Sequence, residues 1–228
     1  IYKAIAFKEP PYECGRRETR LEFDSPHFGG PSWFDQIVQY VAPGEIVIGA
    51  TNCTTDVERQ RQLERLVEFD SLTGAYSRHA TLNRLREECG RIQNRGGLLG
   101  LLMLDIDDFK FINDHCGGHT VGDRVLKEIC VRIQTHLRNS IDRLGRMGGD
   151  EFLILIPGAN LQDTISVGNR ILQVAHQPFD PKFTVSIGAI EVSKIEGLTA
   201  DDLHDVSLKR VDDALYKAKD LGRARVSS

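Results

Sequence analysis

The sequence predicts a mixed α/β protein in which helices cover a central sheet, preceded by a small β-rich segment and a linker helix. The composition changes abruptly near residue 55, from Pro, Gly and aromatic residues to strong helix formers. Beyond Asp70, helical and extended patterns alternate along the chain. The run from Gly97 to Asp105 is almost continuously apolar, which is typical of a strand buried on both faces. These observations divide the chain into residues 1–55, 56–69 and 70–228.

The first segment has the pattern of short antiparallel strands, with alternating polar and apolar residues at 20–23, 33–41 and 45–50. Pro43 followed by Gly44 is typical of the turn between the last two strands, because Pro presets φ and Gly accepts a positive φ. Residues 56–69 lack Gly and Pro and carry a narrow apolar stripe, which predicts a helix. The stripe fits either a short coiled coil or a solvated linker helix.

The remainder of the chain, residues 70–228, predicts a domain of alternating helices and strands. We expect helices over residues 77–94, 121–138, 161–176 and 200–221. We expect strands over residues 97–105, 142–147, 152–156 and 183–192, with a hairpin turn at Gly148-Gly149. This order of elements resembles a ferredoxin-like fold or a nucleotide-cyclase palm.

The bulk composition narrows the classes of partner. A net charge of −4 and a pI of about 6.0 give no global attraction to nucleic acid, so we expect a small phosphate-bearing ligand instead. Five cysteines without zinc spacing indicate a reducing cytoplasm rather than a disulfide framework. The apolar runs fall short of the about 20 residues that a membrane helix needs, so no membrane contact is expected.

Two acidic residues lie at predicted strand ends. Asp105 closes the buried strand, and Asp150 follows the Gly-Gly turn. If the hairpin lies beside that strand, both carboxylates meet at one end of the sheet. Clustered carboxylates repel unless a cation neutralises them, and oxygen ligands favour Mg²⁺ or Mn²⁺ shared with substrate phosphates. The pair therefore predicts a metal site for phosphoryl transfer, although either Asp alone is more typical of a solvated turn.

The run from Arg146 to Phe152 reads Arg-Met-Gly-Gly-Asp-Glu-Phe and resembles the signature of GGDEF domains, which are diguanylate cyclases or their degenerate relatives. Other motifs occur in the order that this family has. They are Asp70 to Gly74 with Arg78, Asp105 to Lys110 with Asn113-Asp114, Gly118-His119 with Gly122-Asp123, and Ala214 to Lys219 with Gly222-Arg223. The resemblance covers about residues 68–226 and implies synthesis of cyclic di-GMP from two GTP molecules.

The resemblance also implies roles for individual residues at the carboxylate pair. Asp105, the Ile106 carbonyl and Asp150 would ligate Mg²⁺ or Mn²⁺. Asp150 or Glu151 would be the base that deprotonates a 3′-hydroxyl for attack on the α-phosphate of a second GTP, and the choice between them stays open. Gly148 and Gly149 would let the backbone approach the nucleotide, and both also suit a hairpin turn.

Further residues resemble the substrate contacts of the family. Asn113 and Asp123 match its guanine readers, because a carboxylate and an amide complement the guanine edge and favour GTP over ATP. Lys110, Lys219 and Arg223 match cations that contact the phosphates and stabilise the transition state. His119 matches a substrate-loop residue, although a lone His in a Gly-rich loop is more often structural.

Two departures from the family pattern affect the expected function. The run Asn113 to His119 is one residue longer than usual, so we expect a different loop shape. The product-inhibition motif of the family is R-x-x-D, and here Asp142 is present while Asn139 stands at the Arg position, with Arg138 beside it. Loss of a bidentate guanidinium predicts weak or absent feedback inhibition, and a shifted site that uses Arg138 is the less favoured alternative.

The first segment and the oligomeric state are further expectations. The strands before Gly49-Ala50 and the Asp56-Val-Glu-Arg run resemble the C-terminal half of a PAS sensor domain, and the alternative is a β-rich cap without a ligand. One GGDEF site binds one GTP, so the resemblance implies a homodimer with residues 56–69 as the dimerising and signalling helix. The competing function is a non-catalytic GTP-binding regulatory module. A cyclase of other specificity is disfavoured by the guanine-type pair.

Overall fold

The computed structural model describes residues 16–25, 30–42, 45–52 and 68–228. It divides into two compact units between Glu64 and Arg65, and each unit is described separately. Among the described residues, no helix is both long and apolar enough to cross a bilayer.

The N-terminal unit contains a three-stranded antiparallel sheet in the order β1-β2-β3. Its strands are β1 (Arg16–Ser25), β2 (Gly30–Ala42) and β3 (Glu45–Asn52). The three strands predicted from alternation are confirmed, and each extends beyond its predicted run. Pro43 and Gly44 lie outside the described residues, as does the predicted helix over 56–69 except for its last two positions. The PAS resemblance stays a prediction.

The C-terminal unit is built on a five-stranded sheet in the order β5-β6-β4-β7-β8. All neighbouring strands are antiparallel except β7 and β8, which are parallel. The strands are β4 (Leu98–Ile106), β5 (Arg143–Gly148), β6 (Glu151–Pro157), β7 (Val185–Ser193) and β8 (Val226–Ser227). β4 lies at the centre, so its two ends are flanked by neighbours on both sides.

Five helices accompany this sheet: α1 (Arg78–Arg95), α2 (Phe109–His115), α3 (His119–Gln134), α4 (Leu161–Ala175) and α5 (Ala200–Asp220). Side-chain caps begin three of them. Ser77 and Asn160 accept from backbone amides of the first turns of α1 and α4, and Thr199 forms a reciprocal capping box with Asp202 at α5.

The core lies in two layers, one on each face of the sheet. Leu102, Leu104 and Ile106 of β4 join a cluster with α3 and α4, whereas Leu99, Leu101 and Met103 join a cluster with α1 and α5. Alternate residues of a strand point to opposite faces, so a strand covered on both sides is apolar throughout. This confirms the expected α/β palm and explains the continuous apolar run.

Two elements were not predicted, and one predicted helix has different bounds. The short helix α2 and the two-residue strand β8 are too brief to give a periodic pattern. We expected a helix over 121–138, but α3 begins at His119, directly after Gly118 with its positive φ of 76°, and ends at Gln134. The hydroxyl of Thr135 donates to the Arg132 carbonyl, which competes with continuation of the helix.

Candidate active site

Acidic side chains converge at one end of the sheet. Asp105 of β4 lies opposite Glu151 of β6 in the antiparallel register, and Asp150 precedes Glu151 in the turn. Asp105 is 7% exposed, and its Oδ2 lies 2.9 Å from Nζ of Lys219 in the last turn of α5. The structure therefore brings together Asp105, Asp150, Glu151 and Lys219, which the sequence placed far apart.

The electrostatics of this end are those of crowded carboxylates. Burial raises the pKa of Asp105, the charge of Asp150 adds to the rise, and the hydrogen bond from Lys219 opposes it. Burial also raises the pKa of Asp150, and the neighbouring Glu151 adds to the rise while Lys219 opposes it. Both carboxylates thus lie where an additional positive charge is stabilised.

The residues present suit a hard divalent cation that is completed by another molecule. Asp105 and Asp150 offer carboxylate oxygens, and the Ile106 carbonyl follows Asp105 at the strand end. Within residues 68–228, however, no three His, Cys, Asp or Glu side chains are grouped as a metal site. Mg²⁺ commonly takes one or two carboxylates and completes its shell with water and phosphate oxygens, so this donor set fits it.

The hairpin tip is held by two arginines whose contacts the sequence did not predict. Gly148 and Gly149 have positive φ values of 145° and 53°, which explains the need for glycine at this turn. Arg78 donates from Nη1 to the Met147 carbonyl at 3.1 Å, and Arg146 donates to the Gly149 carbonyl from Nη2 at 2.7 Å. Both arginines stand in the quoted motifs, but their partners are visible only in the fold.

A third unpredicted residue is Asp107, which is 6% exposed. Its carboxylate accepts hydrogen bonds from the hydroxyls of Thr184 at 2.7 Å and Ser186 at 2.6 Å, and from the Ala224 amide at 3.2 Å. These bonds tie the end of β4 to β7 and to the chain that follows α5. Asp107 therefore acts by fixing this end of β4 through hydrogen bonds. Nothing in the local sequence distinguishes its role from that of Asp105.

Arg223, predicted as a phosphate contact, lies near the same strand end. Its Nε is 3.8 Å from Oδ1 of Asp108, and both side chains are largely exposed. Asp108 itself adopts a left-handed conformation with φ of 53°, where β4 turns into α2. The long and exposed ion pair leaves the guanidinium accessible to an anion.

We call residues 113–123, which contain the predicted guanine readers, the loop end. We call Asp105, residues 146–151 and Lys219 the hairpin end. Asn113 Oδ1 is buried and accepts no hydrogen bond within residues 68–228. A Cβ on Gly122 would lie 2.1 Å from this oxygen, so the glycine lets the Asn113 amide lie against α3. The additional residue is accommodated at Gly117 and Gly118, whose φ values are 120° and 76°.

The other predicted substrate residues are solvent-facing. Lys110, His119 and Asp123 are exposed, and their side chains make no hydrogen bond or ion pair to other residues of 68–228. His119 and Asp123 lie in the first turns of α3, and Lys110 lies in α2. Within residues 68–228, Lys110 makes no hydrogen bond or ion pair to the carboxylate cluster.

The predicted inhibitory residues lie beside a cleft of about 480 Å³ that Phe69, Tyr76 and Leu137 also line. Arg138 Nη2 donates to Asp142 Oδ1 at 2.6 Å and to the Pro157 carbonyl at 2.9 Å. The backbone amide of Arg138 donates to the other carboxylate oxygen at 2.8 Å. The Asp142 side chain is 3% exposed, so this carboxylate is turned inward and paired.

A palm sheet covered on both faces, with acidic side chains at the end of its central strand, defines the class as a nucleotide-cyclase palm domain. Residues 67–225 match the family described as "Diguanylate cyclase, GGDEF domain", and the chain belongs to this family.

Similar proteins and structures agree with this assignment. Diguanylate cyclase DgcP of Pseudomonas aeruginosa is 38% identical over 167 residues, which are 69% of this chain and 23% of that protein. Response regulator PleD of Caulobacter vibrioides is 36% identical over 169 residues, 71% of this chain and 36% of PleD. The chain thus spans well under half of these curated relatives.

Among solved structures, the coiled coil and GGDEF domain of DgcB from Caulobacter crescentus in complex with c-di-GMP superposes with a TM-score of 0.66 at 28% identity. The match covers 76% of this chain and 94% of that one. Diguanylate cyclase SiaD from Pseudomonas aeruginosa, in complex with its activator SiaC, gives 0.64 at 36% identity, covering 75% and 66%.

Proposed function

We propose that the chain is an active diguanylate cyclase that condenses two GTP molecules into cyclic di-GMP and pyrophosphate. The observation that carries this proposal is the convergence of Asp105, Asp150 and Glu151 beneath Lys219 at one end of the sheet. A degenerate module has no need to keep crowded carboxylates, which are unfavourable to bury. The names of the relatives support the same activity.

The carboxylates have two tasks in this reaction. Asp105 and Asp150, with the Ile106 carbonyl, would hold Mg²⁺ or Mn²⁺, and a cation there would polarise the α-phosphate and neutralise its developing charge. Asp150 or Glu151 accepts the proton of the attacking 3′-hydroxyl.

The cations act on the triphosphate. Lys219 contacts Asp105 and would also contact the phosphates of GTP. The exposed Arg223 and Lys110 would donate hydrogen bonds to the leaving pyrophosphate. Each offsets negative charge that grows as the α-phosphate bond to the leaving group breaks.

The loop end selects the base. Asn113 carries an acceptor that lacks a donor within residues 68–228 of the free domain, and by turning its amide away from Gly122 it would meet the N1–H and N2–H₂ donors of guanine, which adenine does not present at that edge. Asp123 lies in the first turns of α3 and would accept from the same edge, and His119 begins that helix. Gly148 and Gly149 would let the protein backbone approach the nucleotide at this turn.

Because each domain has one such site, catalysis requires two protomers that bring their bound GTP molecules face to face. Residues 56–69 are the segment we expect to dimerise and to transmit a signal. The product rate per protomer should therefore rise with protein concentration.

The test is incubation of the purified chain with GTP and Mg²⁺ or Mn²⁺, with chromatography for cyclic di-GMP. Asp150→Ala should abolish product, whereas Asp201→Ala, at an exposed position of α5, should retain it. Absence of product at high protein concentration, together with measurable GTP binding, would favour the regulatory module instead.

A further inference from the structure

The Arg146 guanidinium connects two backbone turns. Nε and Nη2 donate to the Gly149 carbonyl at 3.0 and 2.7 Å, and Nη1 donates to Asp70 Oδ1 at 3.1 Å. The Arg146 side chain is 15% exposed and that of Asp70 is 24% exposed, so this pair is screened less than a surface ion pair. Both ends of the guanidinium are thus engaged.

Asp70 is itself held in place. Its Oδ1 accepts from the Thr73 amide at 2.9 Å and from the Thr73 hydroxyl at 2.7 Å. The turn that follows is bonded to β5, because the Tyr76 amide donates to the Leu144 carbonyl and the Arg146 amide donates to the Tyr76 carbonyl. Asp70 therefore offers Arg146 a carboxylate whose position is set by the domain.

The peptide that Arg146 holds leads directly to the reacting end of the site. The Gly149 carbonyl belongs to the same peptide group as the Asp150 amide, and the next atom of the chain is the Asp150 Cα, which bears the carboxylate. Carbonyl and N–H point in opposite directions in a planar trans peptide, so holding one orients the other. Hydrogen bonds thus run from Asp70 through Arg146 to the peptide that leads into Asp150.

We propose that Arg146 is a positioning residue for the cyclase reaction: anchored by Asp70, it sets the orientation of the Gly149–Asp150 peptide and thereby the Asp150 carboxylate. This rests on the proposed function. The proposal gives the Asp70 turn an indirect part in catalysis, since Asp70 bonds to Arg146 and Thr73 and not to the carboxylate cluster. Groups that orient a metal ligand from behind commonly affect metal affinity or activity by about 10- to 100-fold.

The test compares Arg146→Lys and Asp70→Asn with a matched pair elsewhere, Arg86→Lys and Asp201→Asn, which changes an exposed Arg–Asp contact of 2.8 Å. Lysine keeps the charge but cannot reach Asp70 and Gly149 together. We expect kcat to fall about 10- to 100-fold in each site variant, with the KM for GTP nearly unchanged. The Asp70→Asn/Arg146→Lys double variant should lose no more than Arg146→Lys alone, because both act through one guanidinium.

A second readout separates positioning from folding and from activity. Mn²⁺ affinity, measured by electron paramagnetic resonance with a non-hydrolysable GTP analogue, should weaken about 10-fold in Arg146→Lys and stay unchanged in Arg86→Lys. Wild-type kcat and Mn²⁺ affinity in folded Arg146→Lys would overturn the proposal, as would losses that track unfolding in Asp70→Asn. A wild-type chain without product would sink the proposed function, and the Mn²⁺ measurement would still decide the role of Arg146.

Discussion

The hairpin end and the loop end of the site differ in how their polar groups are satisfied. At the hairpin end, Arg78 and Arg146 hold the turn carbonyls and Lys219 pairs with Asp105. At the loop end, Asn113 Oδ1 is buried without a donor, and Asp123 faces solvent.

This difference suits the hairpin end to preorganised chemistry and the loop end to ligand recognition. Groups that must hold a reacting geometry are bound by the protein in advance, which avoids reorganisation during the reaction. A buried acceptor left unpaired costs about 1–3 kcal/mol, and a ligand that donates to it recovers this cost. If the loop end binds guanine as proposed, it is less stable alone and selective for the base that completes it.

The largest effect should come from the hairpin end. Asp105→Ala removes a carboxylate of the cluster and leaves Lys219 without its partner, so we expect kcat to fall at least about 10³-fold. GTP binding should change much less, because we propose that the base is recognised at the loop end. Steady-state kinetics and calorimetric titration with a GTP analogue would check both. A variant that lost binding but kept kcat would reverse the comparison.

At the loop end, Asn113→Leu should have the opposite signature. It removes the unpaired acceptor, so the free protein should gain about 1 kcal/mol of unfolding free energy. GTP affinity should fall about 10- to 100-fold, with little preference left over ATP. Thermal denaturation and nucleotide titration would test this, with Asn94→Leu, at an exposed position of α1, as control. Lower stability of the free variant would show that Asn113 is satisfied.

The Asp70 carboxylate, which anchors Arg146 of the hairpin end, also predicts a pH dependence of stability. Burial raises the pKa of Asp70, but hydrogen bonds from Thr73 and the Arg146 contact outweigh this and lower it. A lowered pKa in the folded state means that the stabilisation is present above the unfolded value of about 3.9 and is lost on further acidification.

Asp70→Asn should therefore be less stable by about 1 kcal/mol at neutral pH, and the difference should shrink as the pH falls below about 4. Urea denaturation of both proteins across this range would measure it. A difference that stays constant with pH would show that the carboxylate charge is not what stabilises the turn.

The smallest effect concerns the product. Arg138 is paired with Asp142 and the Pro157 carbonyl, so it resembles the hairpin end in being satisfied by the protein. Added cyclic di-GMP should therefore leave the rate of the wild-type chain unchanged, whereas Asn139→Arg, which restores the R-x-x-D spacing, should introduce inhibition. Inhibition of the wild type, lost in Arg138→Ala, would support the shifted site.

Local patterns predicted much of this molecule. The apolar run of β4, the Gly-Gly hairpin and the amphipathic helices are encoded in consecutive residues, and two strand-end Asp residues sufficed to predict a carboxylate cluster. The contacts of Asp107 and Arg146 were beyond reach, because their partners lie far along the chain and are chosen by strand order. Asn113 was identified by resemblance, but only packing against Gly122 reveals its unpaired oxygen.

The contact between Lys219 and Asp105 has a consequence for the order in which ligands arrive. The ammonium already compensates the buried carboxylate, so a divalent cation that enters alone meets a site whose charge is partly balanced. A triphosphate gives the ammonium a second anion to contact and frees the carboxylate at the same time. Metal and nucleotide should therefore load together rather than in sequence, and the protein without nucleotide should hold free divalent ions weakly.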